Sequence, residues 1–149
     1  MVILAIDPGT TESAVVLWDG SRVMAHEIQK NNEVLAFIDT RSFDICACER
    51  LACYGMRIGR ETLETAEFSG RCWERCESRF GRWQWVYRLD VKMHLCQSPR
   101  AKDGNVRQAL IDKLGAPGTV KQPGVTYGIH THEWSALAIA VFAHETFSK

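Results

Sequence analysis

Residues 2–20 read VILAIDPGTTESAVVLWDG. Two apolar runs, VILAI and SAVVLW, flank a Pro-Gly-Thr-Thr turn, the pattern of two buried strands joined by a tight connection. The first run ends on Asp7, where burial would favour another Val or Ile. A carboxylate there can cap the turn by accepting hydrogen bonds from the amides of Gly9 or Thr10. It can equally be kept for its charge, held open to a substrate by the turn that follows. These residues alone leave both readings open. Asp19-Gly20 is a hairpin signal, and RVMAHEIQ after it supplies a third strand, so the chain opens as an antiparallel meander.

Further along, NNEVLAFIDTR places Val34, Leu35, Phe37 and Ile38 at helical spacing, with Asn31 or Asn32 as the N-cap. FDICACERL is a second buried strand that closes on a carboxylate, Glu49. From Gly59 to Phe80 the chain reads as a charged helix with Leu63, Ala66, Phe68 and Trp73 as its apolar stripe. WQWVYRLD and VKMHLC read as a strand and its continuation. KDGNVRQALIDKLG is a helix stopped at Gly115. The Gly- and Pro-rich APGTVKQPGVTYGIHTH is a loop, and HEWSALAIAVFAHETF is a helix apolar enough to lie on a sheet. The order β-β-β-α-β-α-β-α-α implies a mixed sheet covered by helices, α/β or α+β in class.

A chain of 149 residues suits one compact domain over residues 1–149. Its 18 basic and 18 acidic residues balance, so contact with a polyanion has to come from a local basic patch. No apolar run approaches the roughly 20 residues of a membrane span, and the start MVILAID lacks the features of a signal peptide. The six cysteines are then expected as reduced thiols of a cytoplasmic protein. Cys72 and Cys76, one helical turn apart, form half of a metal-site pattern without a matching pair at similar spacing elsewhere, which favours free thiols.

Asp7 and Glu49 each end an apolar strand. If those strands are neighbours, the two carboxylates emerge together and repel unless a cation lies between them. Carboxylate oxygens are the ligands Mg²⁺ and Mn²⁺ prefer, and a pair of such ions about 3.5–4 Å apart can drive phosphodiester hydrolysis.

LAIDPGTTESAVVLWDG resembles the opening of the RuvC-like Holliday junction resolvases of the RNase H-like nuclease superfamily, where a strand-end Asp-Pro-Gly supplies the first metal ligand. ICACERL is similar to that family's next motif, a strand ending on a metal-binding Glu. SPRAKDGNVRQAL resembles the segment that faces DNA, and HTHEWSALAIAVFAH the start of its last helix. The motifs stand in the family's order and touch most of the chain, with the phage and prophage resolvases the most similar. The resemblance implies an RNase H-like fold, a five-stranded mixed sheet flanked by helices on both faces. It also implies a homodimer that cuts branched DNA such as four-way junctions with Mg²⁺ or Mn²⁺, in the cytoplasm of a bacterium or phage-infected host cell. Asp7, Glu49 and His132 would be the metal ligands and, with Glu133, the catalytic residues.

The family's last motif usually carries two acids three residues apart, and those positions here hold His132 and Ser135. Neutral imidazole binds divalent ions and moves protons. A serine hydroxyl carries no charge. Glu133 is the nearby substitute, although one residue along a helix turns a side chain by about 100°. Arg100, Lys102 and Arg107 are the candidates for contact with DNA phosphates. The many arginines between Arg57 and Arg82 alternate with glutamates, as on a solvated or dimer-forming helix. Trp73, Trp83 and Trp85 suit core or dimer packing better than stacking on bases. Two other functions compete: a junction-binding protein that has lost catalysis, with Ser135 as its mark, and a phosphate-binding turn like that of sugar kinases and chaperone ATPases. The latter repeat the fold in a much longer chain and need a second Gly-rich phosphate turn, which this sequence lacks.

Overall fold

The computed structural model describes residues 1–79 and 82–148. In chain order its elements are β1 Ile3–Asp7, β2 Glu12–Trp18, β3 Val23–Lys30, α1 Asn31–Thr40, β4 Ile45–Glu49, α2 Arg60–Arg79, β5 Trp83–Val86, α3 Arg88–Cys96, α4 Asp103–Leu114 and α5 Glu133–Phe147. The strands form one mixed sheet in the order β3-β2-β1-β4-β5. The meander pairs β1 with β2 and β2 with β3 antiparallel, while β1–β4 and β4–β5 are parallel. This is an α/β fold of the RNase H-like kind.

Alternation along the strands sorts the core into two layers. Ile3, Ala5, Ala14, Val16, Ile45 and Ala47 face α3, α4 and α5. Leu4, Ile6, Val15, Leu17, Cys46 and Cys48 face α1 and α2. Both central strands are buried along their whole length, so they read as continuous apolar runs rather than alternating ones. On α5, Ala136, Ala138, Ala140 and Ala143 are all buried. Small side chains let this helix lie close on the sheet and fix where its first residues stand.

Three local expectations are corrected. VKMHLC is not strand but most of α3. Val91 and Leu95, four residues apart, share the core face of a helix, and that spacing outweighs the apparent alternation. The N-cap of α1 is Lys30, and Asn31 is its first residue. The Asn31 side chain serves the β1–β2 turn instead, donating to the carbonyls of Gly9 and Thr10 at 3.0 and 3.1 Å. On α2 the buried stripe is Thr65, Phe68, Ser69, Cys72 and Cys76. Of the expected stripe only Phe68 belongs to it, whereas Leu63 and Trp73 are exposed. Small polar and thiol side chains, rather than large apolar ones, let α2 approach the sheet. The end of this helix expected at Phe80 lies outside the described residues.

All six cysteines are free. Cys46 and Cys48 lie in one layer with Cys72 and Cys76, so β4 does carry a second thiol pair facing the one on α2. Burial pushes the Cys46 and Cys48 thiols well above their ordinary range. No described helix is long and apolar enough to cross a membrane.

Candidate active site

The parallel register sets Ile6 against Cys48, so the next residues, Asp7 and Glu49, end side by side. Both continue the odd-numbered face that carries Ile3, Ala5, Ile45 and Ala47, and therefore point to the α5 side of the sheet. Each is only 7% exposed. Burial, reinforced by the charge of Glu49 and a hydrogen bond shared with it, pushes the Asp7 carboxyl up to about 8. Two carboxylates in this position call for positive charge.

The turn after Asp7 keeps the pair open. A Cβ on Gly9 would stand 2.1 Å from the Glu12 carbonyl oxygen, so only glycine fits. The Gly9 amide donates to Ser13 Oγ at 3.0 Å rather than to Asp7. Ser13 Oγ in turn donates to Asn31 Oδ1 at 2.8 Å, and the Thr10 hydroxyl meets Thr65 Oγ1 on α2 at 3.2 Å. The turn is thus tied to α1 and α2. A cleft of about 710 Å³ opens over it, lined by Asp7, Glu49, Tyr54, Arg88, Thr131 and His132 among others.

The expected residues divide. His132, immediately before α5, places Nδ1 3.3 Å from Asp7 Oδ2, and its side chain is 78% exposed. Glu133 is turned elsewhere: it is 1% exposed and accepts hydrogen bonds from His26 Nδ1 and from the His130 amide, both at 3.0 Å. Its carboxylate does not line the cleft. Ser135 lies in a smaller adjoining cavity with Glu49, Arg88 and Asp103. Arg100 and Lys102 are exposed ahead of α4. Arg107, on α4, lies 5.0 Å over the Trp134 ring and shares a surface hollow with His132 and Ser135.

Two residues of this centre were missed from sequence. Arg88 donates from Nε to Glu49 Oε1 at 3.0 Å and from Nη2 to Oε2 at 3.3 Å. Asp103 is the first residue of α4, close enough for its charge to add to the upward push on Asp7. Arg88 stands in no motif, and Asp103, although inside SPRAKDGNVRQAL, is not marked there as part of the acidic centre.

The tryptophans pack on one another: Trp85 meets Trp83 and Trp73 edge-on at 5.0 and 5.7 Å. Arginines of α2 are used in ion pairs such as Arg60–Glu64 and Arg75–Asp39.

Oxygen donors at a strand end suit a hard divalent cation. Among the described residues, however, no group of three or more His, Cys, Asp or Glu side chains is arranged to hold a metal. The fit therefore rests on the two carboxylates: His132 pairs with Asp7, and Arg88 covers part of Glu49.

Fold and site together define an RNase H-like α/β protein with an acidic pair at the ends of its two central strands. Two solved structures share this fold over nearly the whole chain. One is Thermus thermophilus RuvC in complex with Holliday junction substrate, with TM-score 0.72 and 18% identity over 99% of this chain and 94% of that one. The other is Thermus thermophilus RuvC, with TM-score 0.70 and 19% identity over 99% of this chain and 97% of that one. No protein-family model matches the sequence, and no curated protein sequence does either.

Proposed function

We propose that the protein is a divalent-metal-dependent, structure-selective endonuclease that cuts branched DNA such as Holliday junctions. The observation that carries this reading is the buried pair Asp7–Glu49, side by side beneath an open cleft. The shared fold supports it, since one structure of that fold is bound to junction DNA.

Mg²⁺ or Mn²⁺, held by Asp7 and Glu49, would neutralise the scissile phosphate and lower the pKa of water. In the reaction a water oxygen bonds to phosphorus as the P–O3′ bond breaks, leaving a 5′-phosphate and a 3′-hydroxyl. His132, exposed beside Asp7, takes the proton released by the attacking water and passes it to solvent. The departing 3′ oxygen takes its proton from solvent. Arg100, Lys102 and Arg107 hold flanking phosphates. A four-way junction has approximate two-fold symmetry and two opposed nicks need two sites, so the acting species is a homodimer. The compartment is the cytoplasm of a bacterium or phage-infected cell.

A labelled four-way junction incubated with Mg²⁺ or Mn²⁺ tests the proposal, and paired nicks with 5′-phosphate ends are the expected result. Binding without nicking under either metal would instead make the protein a junction-binding module, the reading that the uncharged Ser135 favours. Phosphate contact has its own measure. Lys102→Ala should weaken junction binding evenly across sequences and reduce the slope of log K against log salt by about 1. An unchanged slope removes Lys102 from the DNA surface.

A further inference from the structure

The acidic pair has a cation of its own. Arg88 opens α3 directly after Tyr87, whose backbone is extended, and this brings its guanidinium back over the end of β4. Both Glu49 oxygens accept from it. The Glu49 side chain is 9% exposed while that of Arg88 is 45% exposed, so the guanidinium reaches from the buried carboxylate out into solvent. Arg88 lines the main cleft and also the smaller cavity beside it. Its fork carries more N–H donors than Glu49 uses, and a carboxylate has lone pairs beyond the two that Arg88 occupies. Glu49 can therefore hold Arg88 on one side and share an ion with Asp7 on the other.

A second divalent ion is poorly supplied with charged donors here. The smaller cavity offers Ser135, whose hydroxyl is neutral, Asp103 at the exposed start of α4, and a Glu49 already paired with Arg88. We propose that this centre takes one divalent cation, and that Arg88 supplies the second positive charge from the protein itself. Its remaining donors bind a non-bridging oxygen of the scissile phosphate and stabilise the charge that grows there during displacement. A planar guanidinium matches a phosphate as it matches a carboxylate. A charge fixed in place needs no reorganisation at the moment of reaction. The inference rests on the nuclease reading above and assigns the residue that replaces a second ion.

The test counts ions without needing turnover. Mn²⁺ alone is titrated into the metal-free protein and followed by calorimetry and by the electron paramagnetic resonance of free Mn²⁺. Wild type, Arg88→Gln, Arg88→Lys and Asp7→Asn are compared, each first shown by circular dichroism to be folded. Wild type should bind one Mn²⁺ per chain, and Asp7→Asn should lose it. Arg88→Gln should keep one ion and bind it about three- to tenfold tighter, because no guanidinium then repels it across Glu49. At saturating Mn²⁺ the same variant should cut a four-way junction about 10²–10³-fold more slowly, with part of the rate recovered in Arg88→Lys. A residue that only ties α3 to the sheet would lower the melting temperature without changing Mn²⁺ affinity. Two ions per wild-type chain, or Arg88→Gln with unchanged affinity and rate, overturns the role given to Arg88 and leaves the nuclease reading standing. No Asp7-dependent ion at all overturns the nuclease reading itself.

Discussion

Asp7→Asn is expected to abolish strand cleavage, leave junction binding intact and raise the melting temperature of the metal-free protein. Loss of a carboxylate that holds the cation should slow cleavage by about 10³-fold or more, read as nicking of a labelled junction. The gain in stability follows from the same burial. At neutral pH, wild type without metal must either keep two carboxylate charges together or hold a proton on Asp7, whose carboxyl is pushed up to about 8. The amide removes that cost, with an expected gain of about 1–2 kcal/mol, or roughly 2–8 °C at about 2–4 °C per kcal/mol for a chain of this size. The sign of the pH dependence is set. A carboxyl raised in the folded state favours folding most below its unfolded pKa, and that contribution is lost as pH rises towards 8. The advantage of Asn over Asp should therefore grow from pH 4 to pH 8 in thermal melts with chelator present. A variant less stable than wild type at pH 8 would show that the carboxylate is satisfied without metal.

Glu133→Ala should be strongly destabilising. The carboxylate is 1% exposed and joins β3, through His26, to the segment that leads into α5, through His130. Truncation empties a buried site and removes the shared acceptor of two partly exposed histidines, a loss of about 2–4 kcal/mol. Calorimetric melting should fall by roughly 4–16 °C. Glu133→Gln keeps an acceptor and should lose far less. Well below its melting temperature it should also bind Mn²⁺ like wild type, since Glu133 faces the histidines and not the cleft. Loss of Mn²⁺ binding in Glu133→Gln would return this residue to the metal centre.

The parts of the fold and site that could be read from sequence are those written in strands. VILAI and FDICACE are apolar runs too short for helices, and a charge closing each is unusual enough to be noticed. That the two strands are neighbours, only a condition in the sequence, comes from their parallel pairing in the sheet. What could not be read depends on contacts between distant segments. Arg88 lies in a mixed stretch, WQWVYRLDVKMHLC, whose alternation suggests strand and conceals the start of α3. Asp103 looks like any acid in the first turn of a helix, where it complements the backbone dipole. Glu133 has the same appearance, and the partner that explains its burial, His26, is 107 residues away in the chain. The stripe of α2 is hard to read because four of its five buried residues, Thr65, Ser69, Cys72 and Cys76, are small polar or thiol side chains that stand out less than Leu63 or Trp73 yet fill a closely packed layer well.

That layer of thiols has a practical consequence. Cys53 is exposed, while Cys46, Cys48, Cys72 and Cys76 are sealed between the sheet and α2. Since alkylating reagents attack an accessible thiolate, an excess of iodoacetamide will modify Cys53 at once and these four only when the two layers part. The slow phase of labelling, resolved by intact mass, then measures how often the native protein opens between sheet and helix, with no engineered probe.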